Sequence, residues 1–200
     1  ARGEANGAED GINGFALAGT HIKVGGEANL AEGSFTIPRS EFLDQAHIRT
    51  ICTRVQFAAS ACPKGAIYGH VKAFSPIVDY AVSGPVYLRS SNHNLPDLVF
   101  DLHGPDYQPV RVVVALRIDS IKGQIRATAE NAPDLPVSKL IFVQQGGKKG
   151  LLINSRNICS GTFRATIVAL GHNGKTSRWR PVLRNGKCGK GRKAKRGRHR

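Results

Sequence analysis

The chain has 200 residues, 40% hydrophobic and 22% charged, with a formal net charge of +15. That balance is globular and long enough for one larger domain or two small ones, each with a real core. It excludes a helical membrane span, because no apolar run reaches the ~18 residues that such a span needs. Val and Ile recur, Met is absent, Trp occurs once, and 23 Gly and 10 Pro supply turns, so the composition leans towards strands. The charge is unevenly placed. Residues 135–200 carry 17 of the 29 Lys+Arg and no Asp or Glu, whereas residues 1–134 set 12 basic groups against all 14 acidic ones. A near-neutral front and an acid-free back imply an anionic counterpart without naming it. The chain opens in Ala1-Arg2-Gly3-Glu4, with neither Met nor an apolar signal segment. It therefore reads as a processed product or as part of a longer polypeptide.

In chain order, residues 1–32 are rich in Gly, Ala and Asn and read as an N-terminal extension or the end of an upstream module. Within them Thr20–Val24 alternates like a strand. Gly33–Pro38 is a short strand stopped by proline. Ser40 is then placed to cap a helical turn over Glu41–Gln45, the one helix expected. Ile48–Phe57 alternates apolar and polar residues at period two, the mark of a half-buried strand, and Ala66–Phe74 reads as its partner. Further strands are expected at Gly84–Arg89, Leu98–Leu102 and Val110–Ile118. Asp119–Gly123 turns the last of these towards Gln124–Ala129. Lys139–Gln144 and Leu151–Asn154 form a pair joined by QGGKKG, and Phe163–Leu170 meets Thr176–Leu183 across Gly171–Gly174. Short strands with Gly/Pro/Asn punctuation predict an all-β fold: an antiparallel β-sandwich, or two small tandem ones, divided as 33–104 and 105–188. Residues 189–200 are cationic and glycine-rich, and cannot bury enough surface to offset ordering, so a disordered basic tail is expected.

Four cysteines, Cys52, Cys62, Cys159 and Cys188, allow three disulfide connectivities. Cys52 and Cys62 flank a short excursion, and Cys159 and Cys188 flank the final hairpin, so the local pairing is favoured. Each bridge would contribute roughly 2–4 kcal/mol and would place the protein in an oxidising compartment. Zinc prefers close pairs such as C-x₂-C, which are absent, although His70 or His172 could complete a mixed site.

Gly146–Gly150 (GGKKG) resembles a phosphate loop only superficially, since a strand rather than a helix follows it. His93, Asp97, Asp101, His103 and Asp106 are dense oxygen and imidazole donors, yet match neither an EF-hand loop nor a zinc pair. There is no G-x-S-x-G elbow, and Glu130 and Asp134 lie near a turn and read as solvated. No catalytic, metal or cofactor motif stands out. The strongest candidate is the basic tail: Lys187, Lys190, Arg192, Lys193, Lys195, Arg196, Arg198 and Arg200. Such a run binds phosphate, carboxylate or sulfate polymers with strong salt dependence. No aromatic residue interleaves it for base stacking.

Several strings resemble the C-terminal region of a group of large uncharacterised secreted or surface β-rich proteins of high-GC Gram-positive bacteria. They are HIRTICTRVQFAA with Cys62, GPVYLRSSNHNLPDLVFDL (84–102), RIDSIKGQIRATAE (117–130), PDLPVSKLIF (133–142), QQGGKKGLLINSRNIC (144–159) and RATIVALGHNGK (164–175). The resemblance covers roughly residues 33–190 and implies an extracellular or surface location and β architecture, but no reaction. The expected function is a non-enzymatic extracellular structural or adhesive protein. Its cationic C-terminus would meet an anionic surface or polymer: wall polymer, acidic polysaccharide, lipid headgroups or nucleic acid. The alternatives are a nucleic-acid-binding protein that uses the tail, and a secreted hydrolase whose site would bring Asp97, Asp101 or His103 against a second carboxylate in a concave pocket. Self-association by addition of the edge strand His21–Val24 is a further expectation.

Overall fold

A computed structural model describes residues 2–7, 12–20 and 28–185. Strands dominate, and the all-β expectation holds. They are β1 (Arg2–Gly7), β2 (Ile12–Thr20), β3 (Leu30–Thr36), β4 (Glu41–Leu43), β5 (Ile67–Phe74), β6 (Ala81–Arg89) and β7 (Asp97–His103). The second half adds β8 (Arg111–Ile121), β9 (Gln124–Ala129), β10 (Lys139–Gln144), β11 (Leu152–Asn154), β12 (Thr166–Gly171), β13 (Thr176–Trp179) and β14 (Leu183–Asn185). One short helix, α1 (Arg54–Ala58), is the α-helix among the described residues.

The described strands form a single 14-stranded sheet in the order β13-β12-β3-β9-β8-β7-β6-β5-β10-β2-β1-β14, with β11 pairing β2 and β4. Pairing is antiparallel throughout, except that β14 runs parallel to β1. The sheet must curl, because its two outermost strands are nearly consecutive in the chain. From Trp179 at the end of β13 to Leu183 at the start of β14 is four residues, so the edges come within about 14 Å. The Leu183 N–H also donates to the Phe163 carbonyl at 2.8 Å, and Arg164 bridges Val182. The two layers of a sandwich are thus the facing walls of one half-barrel. Strands from 33–104 and 105–188 share it: β3 lies between β12 and β9, and β10 pairs with β5.

The hairpins follow local chemistry. Lys122 and Gly123 have φ of 52° and 74°, so a two-residue turn with both φ positive joins β8 to β9. Gly174, with φ of 77°, sits in the turn between β12 and β13. Three expectations are corrected. Glu41–Leu43 is a strand followed by a 3-10 turn over Gln45–His47, because Glu41–Leu43 pairs with Leu152–Asn154 instead of coiling behind Ser40. Ile48–Phe57 is not a strand: Cys52 makes one bridge to Arg89, and α1 then begins behind Thr53. There the Thr53 hydroxyl accepts from the Gln56 N–H at 3.1 Å, and the Gln56 side chain accepts from the Thr53 N–H at 2.9 Å. β5 therefore pairs with β6 and β10. Likewise β10 and β11 do not pair with each other, since a 3-10 turn over Gly147–Lys149 sends β11 to β2 and β4. Residues 21–24, and with them most of the expected entry strand, lie outside the described residues, as does the basic tail.

Candidate functional site

Alternation along each strand separates a concave face from a convex one. On β7, Leu98, Phe100 and Leu102 face inward to the main core, while Val99 packs outward against Cys52, Phe57 and Ala66. Asp97 and Asp101 share that outward side. This two-sided cover explains why residues 97–102 are all buried.

The convex patch is closed by α1. Phe57 lies edge-on to Tyr87 at 6.0 Å, and the guanidinium groups of Arg89 and Arg111 stand 5.3 and 5.5 Å from its ring centre. Asp97 accepts from Arg89 at 3.2 Å and meets His93 Nε2 at 2.8 Å; Asp101 accepts from Arg111 at 2.7 and 3.2 Å and meets His103 at 3.2 Å. The hydrogen bond that Arg111 donates to Asp101 raises the Arg111 pKa further, whereas burial, followed by the Asp101 charge, raises that of the Tyr87 phenol. The residues considered for metal or hydrolytic chemistry therefore form two Asp-centred ion-pair groups on the outside of the sheet. Asp97, Asp101 and His103 are taken up in these pairs, and Asp106 lies apart in the loop before β8. No group of three His, Cys, Asp or Glu side chains suited to a metal ion occurs among the described residues. The Cys52–Cys62 disulfide is formed, with Cα atoms 5.2 Å apart, and pins both ends of the segment carrying α1. Cys188, the expected partner of Cys159, lies outside the described residues, as do Lys187, Lys190, Arg192, Lys193, Lys195, Arg196, Arg198 and Arg200. Glu130 pairs with Arg117 at 3.3 Å, and Asp134 accepts from Asn29 at 2.8 Å.

The concave face presents something that motif reading did not find. Its alternate residues line an apolar trough of about 500 Å³, inside the range of small-molecule sites. Val110, Val112, Val114, Leu116 and Ile118 run along one wall, a stripe of about 26 Å at the strand rise per residue. Beside that stripe, on the strands that continue the sheet, the inward residues are smaller. In one row across the sheet, Ala169 pairs with Gly33, Gly33 with Ala129, and Ala129 with Leu116; in the next, Phe35 pairs with Ala127. These small residues are themselves covered: Ala129 and Ala169 are buried, and a Cβ on Gly33 would lie 3.1 Å from Leu30 Cδ2. Among the lining side chains, only those of Ser34, Ser75, Tyr80, Gln144 and the Trp179 indole carry polar atoms.

No family model, curated protein or solved structure matches this chain.

Register places one end of the trough at the base and the other at a mouth. Tyr68, Leu88 and Leu151, all fully buried, fill the base. Ile37 and Leu152 seal it where the chain crosses from β3 to β4. The Tyr68 hydroxyl fastens the overlying segment, donating to the His47 carbonyl at 3.2 Å and accepting from the Arg49 N–H at 3.1 Å. At the mouth, where Phe74, Ala81, His103 and Arg111 end or begin their strands, large apolar side chains remain in water. Ile77 is 68% exposed and Tyr107 is 73% exposed, with Val78, Val110 and Leu135 also exposed. Tyr107 packs edge-on against Tyr80 of the trough lining, ring centres 6.4 Å apart. The arrangement is a cup, closed and packed below, with an apolar rim above. The sequence signal for it was the apolar alternation from Val110 to Ile118 along the inward face of β8.

Proposed function

We propose that this chain is a non-enzymatic extracellular or cell-surface binding protein whose half-barrel holds an extended acyl chain. Its cationic C-terminus fastens it to an anionic polymer or surface. The observation that carries the reading is the trough: about 500 Å³, bordered by the stripe of β8 and lined almost wholly by hydrocarbon. Water gains few hydrogen bonds there, while an acyl chain removes apolar surface from water. The shape of the β8 stripe suits an extended chain better than a compact ring system. The Cys52–Cys62 disulfide supports an oxidising compartment, and the acid-free run from residue 135 onward supports adhesion to polyanions.

Titrating the delipidated protein with a fluorescent polyene fatty acid tests the trough. Saturable uptake is expected, and Ala127→Phe, which narrows the cavity, should weaken it by about tenfold or more at unchanged melting temperature, a loss of at least ~1.4 kcal/mol. Absence of saturable uptake by folded protein, or indifference to Ala127→Phe, would overturn the reading.

A further inference from the structure

Among the described residues, no Lys, Arg, His, Asp or Glu lines the trough. Of the residues that bring polar side chains to its lining, most stand at its margins. Ser34, opposite Thr128, lies on the outward side of β3. Ser75 and Tyr80 flank the loop between β5 and β6 at the mouth, and Trp179 ends the edge strand β13. Gln144 is different. It ends β10, and alternation with Leu140 and Phe142 turns its side chain inward, while Lys139, Ile141 and Val143 point outward. The exposures agree: Val143 is 48% exposed and Gln144 only 6%. Register carries Gln144 through Gly69, Val86 and Phe100 to Val114, the middle of the β8 stripe. Its carboxamide, with two donor hydrogens and an acceptor oxygen, meets no hydrogen-bond partner among the described residues. Gln124 shows the contrast, because its amide donates to the Ile37 carbonyl at 2.9 Å. Buried amides are ordinarily satisfied, and a polar group set in an apolar site is the usual means of orienting a ligand.

We infer that Gln144 selects the ligand of the trough: a long-chain molecule with an uncharged hydrogen-bonding group, of which a hydroxyl is the simplest, that donates to the Gln144 carboxamide oxygen. The inference rests on the acyl-chain reading above and adds the polar group and the residue that meets it. An ionised group is disfavoured inside, since no charged side chain lines the trough and an unpaired charge is far more costly to bury than a hydroxyl. A pure hydrocarbon would fill the space and leave the whole carboxamide unmet. An ether could accept from the amide N–H but would leave the amide oxygen without a donor. A hydroxyl supplies that donor without bringing a charge.

The test sets 1-dodecanol and dodecyl methyl ether in competition with the fluorescent polyene fatty acid. Both are measured on the intact protein and on Gln144→Met and Gln144→Leu, which remove the amide and keep an apolar side chain of similar size. Comparing the alcohol-to-ether affinity ratio between proteins cancels the different hydration of the two ligands. That ratio should be about fivefold or more higher in the wild type than in either variant, the effect of one hydrogen bond in a buried site. A ratio that is the same in all three proteins overturns the assignment to Gln144 and leaves the acyl-chain reading intact. Failure of both competitors to displace the probe from folded wild-type protein overturns that reading and, with it, the assignment. Melting temperatures of the ligand-free proteins verify that the variants are folded, and two variants of different shape guard against one that is not.

Discussion

Glu41 is 2% exposed, and burial pushes its carboxyl pKa up to about 7. Among the described residues its Oε2 has no hydrogen-bond partner, and neither do the nearby Ser40 Oγ and Asn154 Oδ1. β4 places Glu41 opposite Asn154 at the base of the cup. A carboxyl whose pKa is higher in the folded than in the unfolded chain holds its proton more tightly when folded. Stability is therefore lost as pH rises from about 4.5 through about 7, and is flat above that. The full effect is about 3 kcal/mol, one pKa unit being ~1.4 kcal/mol. Denaturant midpoints measured from pH 4 to 8 should fall for the wild type relative to Glu41→Gln, with the variant the more stable at pH 8. Parallel profiles for the two proteins would contradict this account. Nothing in the local sequence marked Glu41 as buried. Ser40-Glu41-Phe42 reads equally well as a helix start, and only the pairing with β11, more than a hundred residues away, puts the carboxyl inside.

At the scale of elements, the long alternating strands were legible. Gln124–Ala129 and Lys139–Gln144 have the bounds expected, and β8 carries the strongest alternation in the chain. α1 has a local signature of its own: Thr53-Arg54-Val55-Gln56 is a capping box, lying within the period-two alternation of Ile48–Phe57. The ladder between β6 and β7 shows what a strand reading omits. Register passes from Ser83–His103 to Val86–Phe100, with Gly84 and Pro85 between. A Cβ on Gly84 would lie 1.8 Å from the Asp101 carbonyl oxygen, a contact that only backbone movement could relieve. Gly84→Ala should therefore destabilise by about 3 kcal/mol through overpacking, read as a lowered denaturant midpoint. Gly174→Ala, where added carbon meets nothing within 4 Å but φ is positive, should cost only about 1 kcal/mol. Equal losses would remove the close-approach explanation.

For the whole molecule, the half-barrel and the cationic run are separable objects. Deleting residues 189–200 retains Cys188 and removes Lys190 to Arg200, seven of the cations considered for anion binding. Column retention on heparin or DNA should collapse, while fatty-acid affinity and melting temperature stay constant. For the intact chain the slope of log affinity for duplex DNA against log salt should be no steeper than about −7, the limit for eight phosphates neutralised. Preference for DNA over heparin at matched charge would favour the nucleic-acid alternative. The sequence by itself determined the all-β class, the register-setting turns, the local Cys52–Cys62 pairing and the charge boundary near Leu135. Each rests on neighbouring residues: alternation, glycine at positive φ, a ten-residue cysteine interval, a run of lysine and arginine. Only the tertiary structure decided that one sheet curls on itself, that Asp97 and Asp101 face outward to arginines, and that the inward side chains of β12, β3 and β9 fall in rows beside those of β8. The trough arises from strands distant in sequence, brought side by side in a sheet whose order does not follow the chain.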